Sequence, residues 1–215
     1  MGQNPEFVRE AFSSIAPRYQ LANHILSLGI DFLWREVTAK EVVKESPQRL
    51  LDVATGTGDL ALTIQEKAPD LEMVATDFCQ EMLDVARASG VKETMVADAL
   101  DLPFASESFD VVTVAYGLRN MSSWPGGIQE MGRVLRPGGS LFVLDFSIPR
   151  GLLRKPYCFY LERVLPRIAG GIAGNREAYE YLAASIGSFP SGRAMEDLLC
   201  ANGFVSATTR PLTGG

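Results

Sequence analysis

The chain has 215 residues, of which 47% are hydrophobic and 21% are charged, and its formal net charge is −6. This length and composition suit one globular α/β domain with a full core, and the negative charge argues against nucleic acid as a main partner. Three widely spaced cysteines form neither a zinc-binding pattern nor a disulfide framework, which is typical of a protein in a reducing cytoplasm.

From residue 49 onward, short β-rich segments alternate with amphipathic segments of helical periodicity. The predicted strands are 49–54, 72–76, 94–97, 109–115, 140–146 and 204–209. The predicted helices are 60–67, 80–89, 127–135 and 193–202. This alternation predicts a Rossmann-like α/β fold, in which a mainly parallel, twisted sheet carries helices on both faces.

We predict a single domain over 1–215 that has four parts. A helical cap at 1–47 precedes a cofactor-binding core at 48–147, which is followed by a helical insert at 148–190 and by a final helix and strand at 191–215. Open α/β sheets bind ligands at the carboxyl ends of their strands, so both helical parts are expected to cover that edge. The turn-like end of the chain suggests that one last antiparallel strand is missing.

The sequence DVATGTGD at 52–59 joins the first predicted strand to the first predicted helix. Glycines at this junction let a ligand approach bare backbone at the N-terminus of a helix. The pattern extends to Gly56-x-Gly58-x-x-Ala61, and Asp77 follows 21 positions after Gly56 at the end of the next predicted strand. An acid there is placed to bind the two hydroxyls of a ribose. A nucleoside-bearing cofactor is therefore expected, although a purely structural turn would also use these residues.

Asp98 and Ala99 follow the third predicted strand, where the carboxylate could accept a hydrogen bond from an adenine amino group. Asp98 alone could equally be a turn residue, but the three turns fall at successive strand ends, where one extended ligand would touch all of them. Asp52 and Asp59 lie beside the glycines. Two carboxylates repel a pyrophosphate but suit a sulfonium and an α-ammonium group, so S-adenosyl-L-methionine is favoured over NAD.

Residues 115–121 leave the fourth predicted strand at the same edge. Arg119 and Asn120 are polar groups in an otherwise apolar stretch, which suggests a catalytic or positioning role. The alternative is that Arg119 braces the helical caps through an ion pair.

Several segments resemble the UbiE/MenG family of quinone-biosynthesis C-methyltransferases. They are FSSIAPRY at 12–19, Asn23, SLG at 27–29, Trp34-Arg35, GLRN at 117–120, RPGG at 136–139 with Phe146-Ser147, Tyr179-x-Tyr181-Leu182-x-x-Ser185-Ile186, and Phe189-Pro190. The resemblance runs from about residue 7 to residue 214. The chain departs from the family pattern at Gln20, where an acid is usual, and at Asp145, where glutamate is common.

The resemblance implies a class I methyltransferase fold and an enzyme that moves a methyl group from S-adenosyl-L-methionine to a ring carbon of a polyprenylated quinol. The step would belong to menaquinone or ubiquinone biosynthesis, with demethylmenaquinol the first choice of substrate. We assign cofactor binding to eight residues and expect no metal. They are Asp52, Gly56, Thr57 and Gly58 at the methionine end, Asp77 at the ribose, Asp98 and Ala99 at the adenine, and Ala115 near the sulfur.

An aromatic carbon attacks a methyl group only after a neighbouring hydroxyl has lost its proton. We assign Arg119 and Asn120 to catalysis, because they could lower the pKa of the quinol directly or through a held water. Tyr19, from the N-terminal cap, is also assigned to catalysis and would shape the quinol side of the site. Arginine itself stays protonated and is not expected to be the base. The residues assigned to quinol binding are Asn23, Tyr116, Tyr179 and Tyr181.

The segment 148–176 carries six arginines or lysines against one glutamate, with aromatic residues interleaved. Such a pattern suits contact with an anionic membrane surface, or else a solvated basic face of a cap. No run of residues reaches the roughly 18 apolar positions that span a bilayer. We therefore expect a cytoplasmic protein with peripheral contact at the inner membrane face.

Other functions are compatible with the sequence. The chain could methylate another lipid or small molecule, or bind the cofactor without catalysis as a subunit of a larger assembly. NAD-dependent oxidation is disfavoured by the carboxylates beside the glycines. The sequence leaves open a benzoquinol or naphthoquinol ring, and it leaves open a homo-oligomer or a quinone-biosynthesis assembly.

Overall fold

The computed structural model describes residues 29–149, 151–160, 163 and 185–213. These residues belong to two compact units, Met1–Asp145 and Phe146–Gly215, which are described separately below. The predictions for Tyr19, Asn23, Tyr179 and Tyr181 lie outside the described residues.

The first unit contains a parallel α/β sheet. Its strands are β1 (Arg49–Val53), β2 (Glu72–Asp77), β3 (Thr94–Val96), β4 (Phe109–Ala115) and β5 (Leu135–Leu144). Its α-helices are α1 (Asp31–Lys44), α2 (Asp59–Lys67), α3 (Gln80–Ser89) and α4 (Trp124–Val134), and a 3₁₀ turn spans Leu118–Asn120.

The strand order is β3-β2-β1-β4-β5, and every neighbouring pair is parallel. In the centre, Leu50 faces Met73 of β2, and Leu51 faces Val112 of β4. The chain crosses from one side of β1 to the other between β3 and β4. The carboxyl ends of β1 and β4 therefore form the crevice at which open α/β sheets bind ligands.

Strands β1 and β4 are buried on both faces, as expected of central strands in a parallel sheet. Leu50, Ile64 and Val42 are fully buried in the same cluster, so helices α1 and α2 cover one face together. Helix α1 also buries two charged residues, Asp31 and Arg35, on the same face as its apolar residues. The packing of the central strands thus fixes the positions of the side chains at their carboxyl ends.

The segment RPGG at 136–139 lies between the predicted helix 127–135 and the predicted strand 140–146, but in the structure it lies within β5, which begins at Leu135. Leu135 pairs with Phe109, and the next pair is Ser140 with Val111, so the register shifts across this segment. Gly138 has a φ of +82°, which glycine adopts without strain. The RPGG segment therefore forms a bulge in the edge strand β5.

The second unit has three described helical elements and a helical turn at 185–188. The elements are a 3₁₀ turn at Gly151–Leu153, α5 (Arg154–Phe159) and α6 (Arg193–Ala201). Among the described residues, no helix is long and apolar enough to cross a membrane.

The predicted strand at 204–209 is wrong, because the described chain there has no strand hydrogen bonding. Val205 is fully exposed, and the backbone N–H and hydroxyl of Thr209 donate to the carboxylate of Glu196, at 2.8 and 2.6 Å. A β-rich sequence forms a strand only where a neighbouring strand and a buried face support it. The carboxylate of Glu196 accepts the hydrogen bond from the Thr209 N–H that a neighbouring strand would otherwise accept.

Candidate active site

A pocket of roughly 1050 Å³, part of it open to solvent, lies at the carboxyl ends of β1, β2 and β4. The residues that the sequence singled out and that line it are Asp52, Gly56, Thr57, Asp77, Asp98, Ala99, Ala115, Tyr116 and Asn120. Asp98 and Ala99 line the same pocket as residues at the ends of β1 and β4, as expected for turns that lie at successive strand ends.

The glycine turn between β1 and α2 has two separate roles. Gly56 lines the pocket with a φ of +57°. Gly58 is not among the lining residues. A Cβ on Gly58 would lie 2.5 Å from Cγ2 of Val91. Its φ is +84°, and it is the N-cap residue of α2. Gly58 therefore lets α2 begin in close contact with the segment before β3, and the packing alone explains why the position carries no side chain.

Asp77 connects β2 to the glycine turn. Its carboxylate accepts hydrogen bonds from the backbone N–H of Gly56 at 2.8 Å and of Cys79 at 3.0 Å. Burial raises the pKa of Asp77 to about 6, and these backbone hydrogen bonds oppose the rise. At neutral pH the group is therefore an ionised acceptor held beside the turn, which suits a ligand that brings hydroxyl donors.

Asp52 is the second buried carboxylate of the pocket. It is 1% exposed and accepts a hydrogen bond from the hydroxyl of Thr113 on β4. Burial raises the pKa of Asp52 to about 6, with a further contribution from the charge of Asp77. A cationic ligand would reduce the cost of keeping both groups ionised.

The chain turns sharply where β4 ends. Tyr116 has a φ of +58°, unusual for a residue with a side chain, and its N–H donates to the carbonyl of Leu144 at 2.8 Å. A Cβ on Gly117 would lie 2.5 Å from Cβ of Ala54, so glycine is required for β1 and β4 to end this close together. The side-chain amide of Asn120 donates to the carbonyl of Tyr116 at 3.1 Å, which holds Asn120 at the pocket wall.

Arg119 takes the position that the alternative prediction described, that of an ion-pair partner. It is 1% exposed, and its Nη1 lies 2.6 Å from Oδ1 of Asp145. Its guanidinium carbon is 5.9 Å from the ring centre of Tyr116, and Arg119 is not among the residues lining the pocket. The partner is Asp145, directly after β5, and a catalytic role for Arg119 stays a prediction.

Arg35 is a pocket residue that the sequence motifs did not identify as one. Its side chain lines the pocket and is ion-paired with Asp31 one turn earlier on α1. Asp31 and Arg35 are in phase with the buried Ala39 and Val42 of the same helix. A charged i, i+4 pair in helical phase with the apolar Ala39 and Val42 was the signal that could have identified it.

The pocket carries a strong negative charge. Among its described lining residues, the acids are Asp52, Asp59, Asp77 and Asp98, and the one lysine or arginine is Arg35. The larger apolar side chains of the lining include Phe78, Met82, Leu100 and Met121. The donor and acceptor set therefore fits a nucleoside with a cationic end and does not fit a pyrophosphate.

Comparison with known proteins gives the same family as the sequence motifs. The chain matches the model of the ubiE/COQ5 methyltransferase family over residues 1–215. It is 46% identical to a demethylmenaquinone methyltransferase of Deinococcus radiodurans over 203 residues, which cover 92% of this chain and 84% of the relative. It is 40% identical to a ubiquinone/menaquinone biosynthesis C-methyltransferase of Geotalea daltonii over 219 residues, 98% of this chain and 93% of the relative.

Solved structures share the fold at lower identity. A SAM-dependent methyltransferase of Thermotoga maritima aligns with a TM-score of 0.64 at 21% identity, over 92% of this chain and 81% of that one. The [4+2]-cyclase SpnF also aligns with a TM-score of 0.64, at 19% identity over 87% of this chain and 90% of that one. Because one fold carries such different chemistry, the family match and not the fold identifies the reaction class.

The predicted Rossmann-like fold, the predicted family and the predicted enzyme class are thus confirmed. The chain belongs to the ubiE/COQ5 methyltransferase family and is a methyltransferase with the class I fold.

Proposed function

We propose that this enzyme binds S-adenosyl-L-methionine in the pocket at the ends of β1, β2 and β4 and methylates a ring carbon of a polyprenylated quinol, demethylmenaquinol first. The observation that carries the proposal is the pocket itself, in which Asp77 holds the glycine turn and four carboxylates surround the ligand space. The names of the relatives from Deinococcus radiodurans and Thermus thermophilus, both demethylmenaquinone methyltransferases at 46% and 45% identity, support the substrate.

The pocket residues divide naturally along such a cofactor. Asp77 would accept from the ribose hydroxyls, while Asp98 and Ala99 would bind the adenine against the apolar side chains of Phe78 and Leu100. The glycine turn with Asp52 would hold the methionine end. When bound, S-adenosyl-L-methionine supplies the electrophilic methyl group.

The chain's own residues then have to orient the quinol and stabilise its deprotonated hydroxyl. Asn120 lines the pocket, and its amide is fixed by the Tyr116 carbonyl. Burial raises the pKa of the Tyr116 phenol, so this side chain stays protonated and available as a neutral hydrogen-bonding group. The guanidinium carbon of Arg119 lies 5.9 Å from the ring centre of Tyr116, a residue of the pocket lining, and its positive charge would act on negative charge in the pocket through space. Correct alignment of the two reactants lowers the activation free energy by several kcal/mol.

The cofactor site is tested by titration calorimetry with S-adenosylhomocysteine. We expect Asp77→Asn to weaken binding by about 10- to 100-fold, because the ribose would lose a charged acceptor worth about 1.5–3 kcal/mol. Asp70→Asn, at an exposed position outside the pocket, is the matched control. Methyl transfer should then be assayed with demethylmenaquinol and with the corresponding benzoquinol. Equal affinity in wild type and Asp77→Asn, or transfer to neither quinol, would contradict the proposal.

We propose in addition that segment 148–176 contacts the inner membrane face, which would bring the enzyme to a lipid-soluble substrate. In the described part of this segment, Arg154 and Lys155 are exposed beside apolar Leu152 and Phe159, which are 97% and 63% exposed. Basic and apolar side chains together favour an anionic bilayer surface.

The membrane contact is tested by co-sedimentation with vesicles that contain anionic lipid. Replacing both Arg154 and Lys155 by glutamine should weaken binding about 30-fold, since each basic residue contributes about 1 kcal/mol near such a surface. The control pair Arg193→Gln and Arg210→Gln removes the same charge from exposed positions elsewhere in the second unit. Equal loss in both pairs would show that only overall charge matters and would overturn the local contact.

A further inference from the structure

Arg35 is the one lysine or arginine among the described residues that line the pocket, and it is only 4% exposed. The other charged lining residues are the four aspartates already described. A cofactor with an amino-acid end carries an α-carboxylate as well as cationic groups, and four acids by themselves would repel that carboxylate. We propose that Arg35 binds the α-carboxylate of the cofactor, an assignment that rests on the proposed use of S-adenosyl-L-methionine.

The guanidinium of Arg35 is held in place before any ligand arrives. Its Nη1 donates to the carboxylate of Asp31, which is fully buried. Its guanidinium carbon lies over the ring of Tyr116, 5.5 Å from the ring centre, within the range of a cation–π contact. Arginine fixed in this way loses little side-chain freedom on binding, so more of its attraction to a carboxylate appears as affinity.

The charges next to Arg35 match the two charges of an α-amino acid. Nη2 of Arg35 lies 3.4 Å from Oδ2 of Asp59, and the hydroxyl of Thr57 donates to the same oxygen at 3.1 Å. A well-formed hydrogen bond between arginine and carboxylate is shorter, at about 2.7–2.9 Å. A ligand carboxylate can therefore give Nη2 a closer acceptor, while Asp59 faces the neighbouring α-ammonium group.

The position of this pair in the fold agrees with the assignment. Asp59 is the first residue of α2, directly after the glycine turn, where Gly56 and Thr57 line the pocket. Backbone N–H groups at the start of a nine-residue helix also favour an anion. Arg35 from α1 and the start of α2 thus meet at the end of the pocket assigned to the methionine group.

The assignment is tested with two ligands that differ only in the carboxylate, S-adenosyl-L-methionine and its decarboxylated form. 5′-Methylthioadenosine, which lacks the whole amino-acid end, reports on the adenosine site. We expect wild type to bind S-adenosyl-L-methionine at least about tenfold more tightly than the decarboxylated form, as for a hydrogen bond between charged groups. In Arg35→Gln this preference should disappear, with the affinity for 5′-methylthioadenosine unchanged.

Arg35→Gln leaves Asp31 buried without its cation, so the double variant Asp31→Asn with Arg35→Gln is measured in parallel and should give the same loss of preference. Arg49→Gln removes an arginine of the same unit that pairs with Glu72 outside the pocket, and it should retain the wild-type preference. A double variant that keeps the wild-type preference would overturn the assignment, even if its turnover falls. A wild-type chain that binds neither S-adenosyl-L-methionine nor 5′-methylthioadenosine would overturn the proposed function and this assignment with it.

Discussion

Two buried arginines lie near the ring of Tyr116, and each is paired with an aspartate. Arg35 pairs with Asp31, and Arg119 pairs with Asp145, whose side chain is 5% exposed. Buried ion pairs add little net stability, but removing one partner costs about 3–5 kcal/mol because the other charge is left uncompensated. Lost activity in a single arginine variant therefore has two explanations, and stability has to be measured beside turnover.

The Arg119–Asp145 pair allows these explanations to be separated. We expect Arg119→Gln to lower the free energy of unfolding by about 3 kcal/mol, and Arg119→Gln with Asp145→Asn to recover most of that loss, because no buried charge remains. If Arg119 also lowers the pKa of the quinol, turnover in the double variant stays at least about 100-fold below wild type while S-adenosylhomocysteine still binds. Urea unfolding, calorimetry and a methyl-transfer assay on the same samples check this.

The outcomes differ clearly. A double variant that regains both stability and turnover would make Arg119 a structural residue, as its burial and its partner suggest. A double variant that loses affinity for S-adenosylhomocysteine as far as it loses turnover would also contradict the catalytic assignment. Arg133→Gln, which removes an arginine paired with Glu130 away from the pocket, is the control for general damage.

At the scale of helices and strands, the alternation of strands and helices along the chain was predicted from the sequence. The strand at Phe109–Ala115 and the helix at Gln80–Ser89 have the predicted bounds, and the other four core strands and the other three predicted helices differ mainly at their ends. The periodicity of apolar residues and the residue types of turns are local properties, so both can be recognised without knowledge of the fold. The pocket acids Asp52, Asp77 and Asp98 were found for the same reason, because each lies within two residues of the carboxyl end of a strand.

Features that depend on distant neighbours could not be predicted. Gly58 occupies a position typical of a ligand-binding glycine in the sequence pattern. A Cβ there would collide with Val91, 33 positions later, so packing requires glycine at this position. The segment 204–209 has β-rich composition, but no strand supports it among the described residues. Arg35 belongs to a helix before the sheet begins, and only the packing of α1 on α2 brings it to the pocket.

At the scale of the whole molecule, the carboxyl groups divide into two sets with opposite effects on stability. A hydrogen bond from Arg133 lowers the pKa of Glu130, and hydrogen bonds from Thr209 lower that of Glu196. Groups with a lowered pKa stabilise the fold above their unfolded pKa, and this contribution is lost as the pH falls. Asp52 and Asp77 act in the other direction, since burial raises both pKa values to about 6.

The two pocket carboxyls therefore make the ligand-free enzyme less stable as the pH rises from about 4 to about 6. In this window the folded protein keeps protons that the unfolded chain has released, and ionising each buried group costs on the order of 2–3 kcal/mol. The two costs do not simply add, because the charge of Asp77 also raises the pKa of Asp52. The pocket sacrifices stability at neutral pH in order to present charge to a cationic ligand.

Neutral replacements should remove this cost. We expect Asp52→Asn, whose neighbour Thr113 has a hydroxyl that can rotate to suit an amide, to be more stable than wild type at pH 7 by up to about 2 kcal/mol, and to match wild type at pH 4, where the native carboxyl is already protonated. Urea unfolding at half-unit intervals between pH 4 and pH 7 measures the difference, with exposed Asp70→Asn as a control that should follow wild type. A constant offset across the whole range would instead point to altered packing at the substituted position. Coincident curves for wild type and Asp52→Asn would mean that Asp52 ionises at no cost, and its burial would then have no bearing on the charge of the pocket.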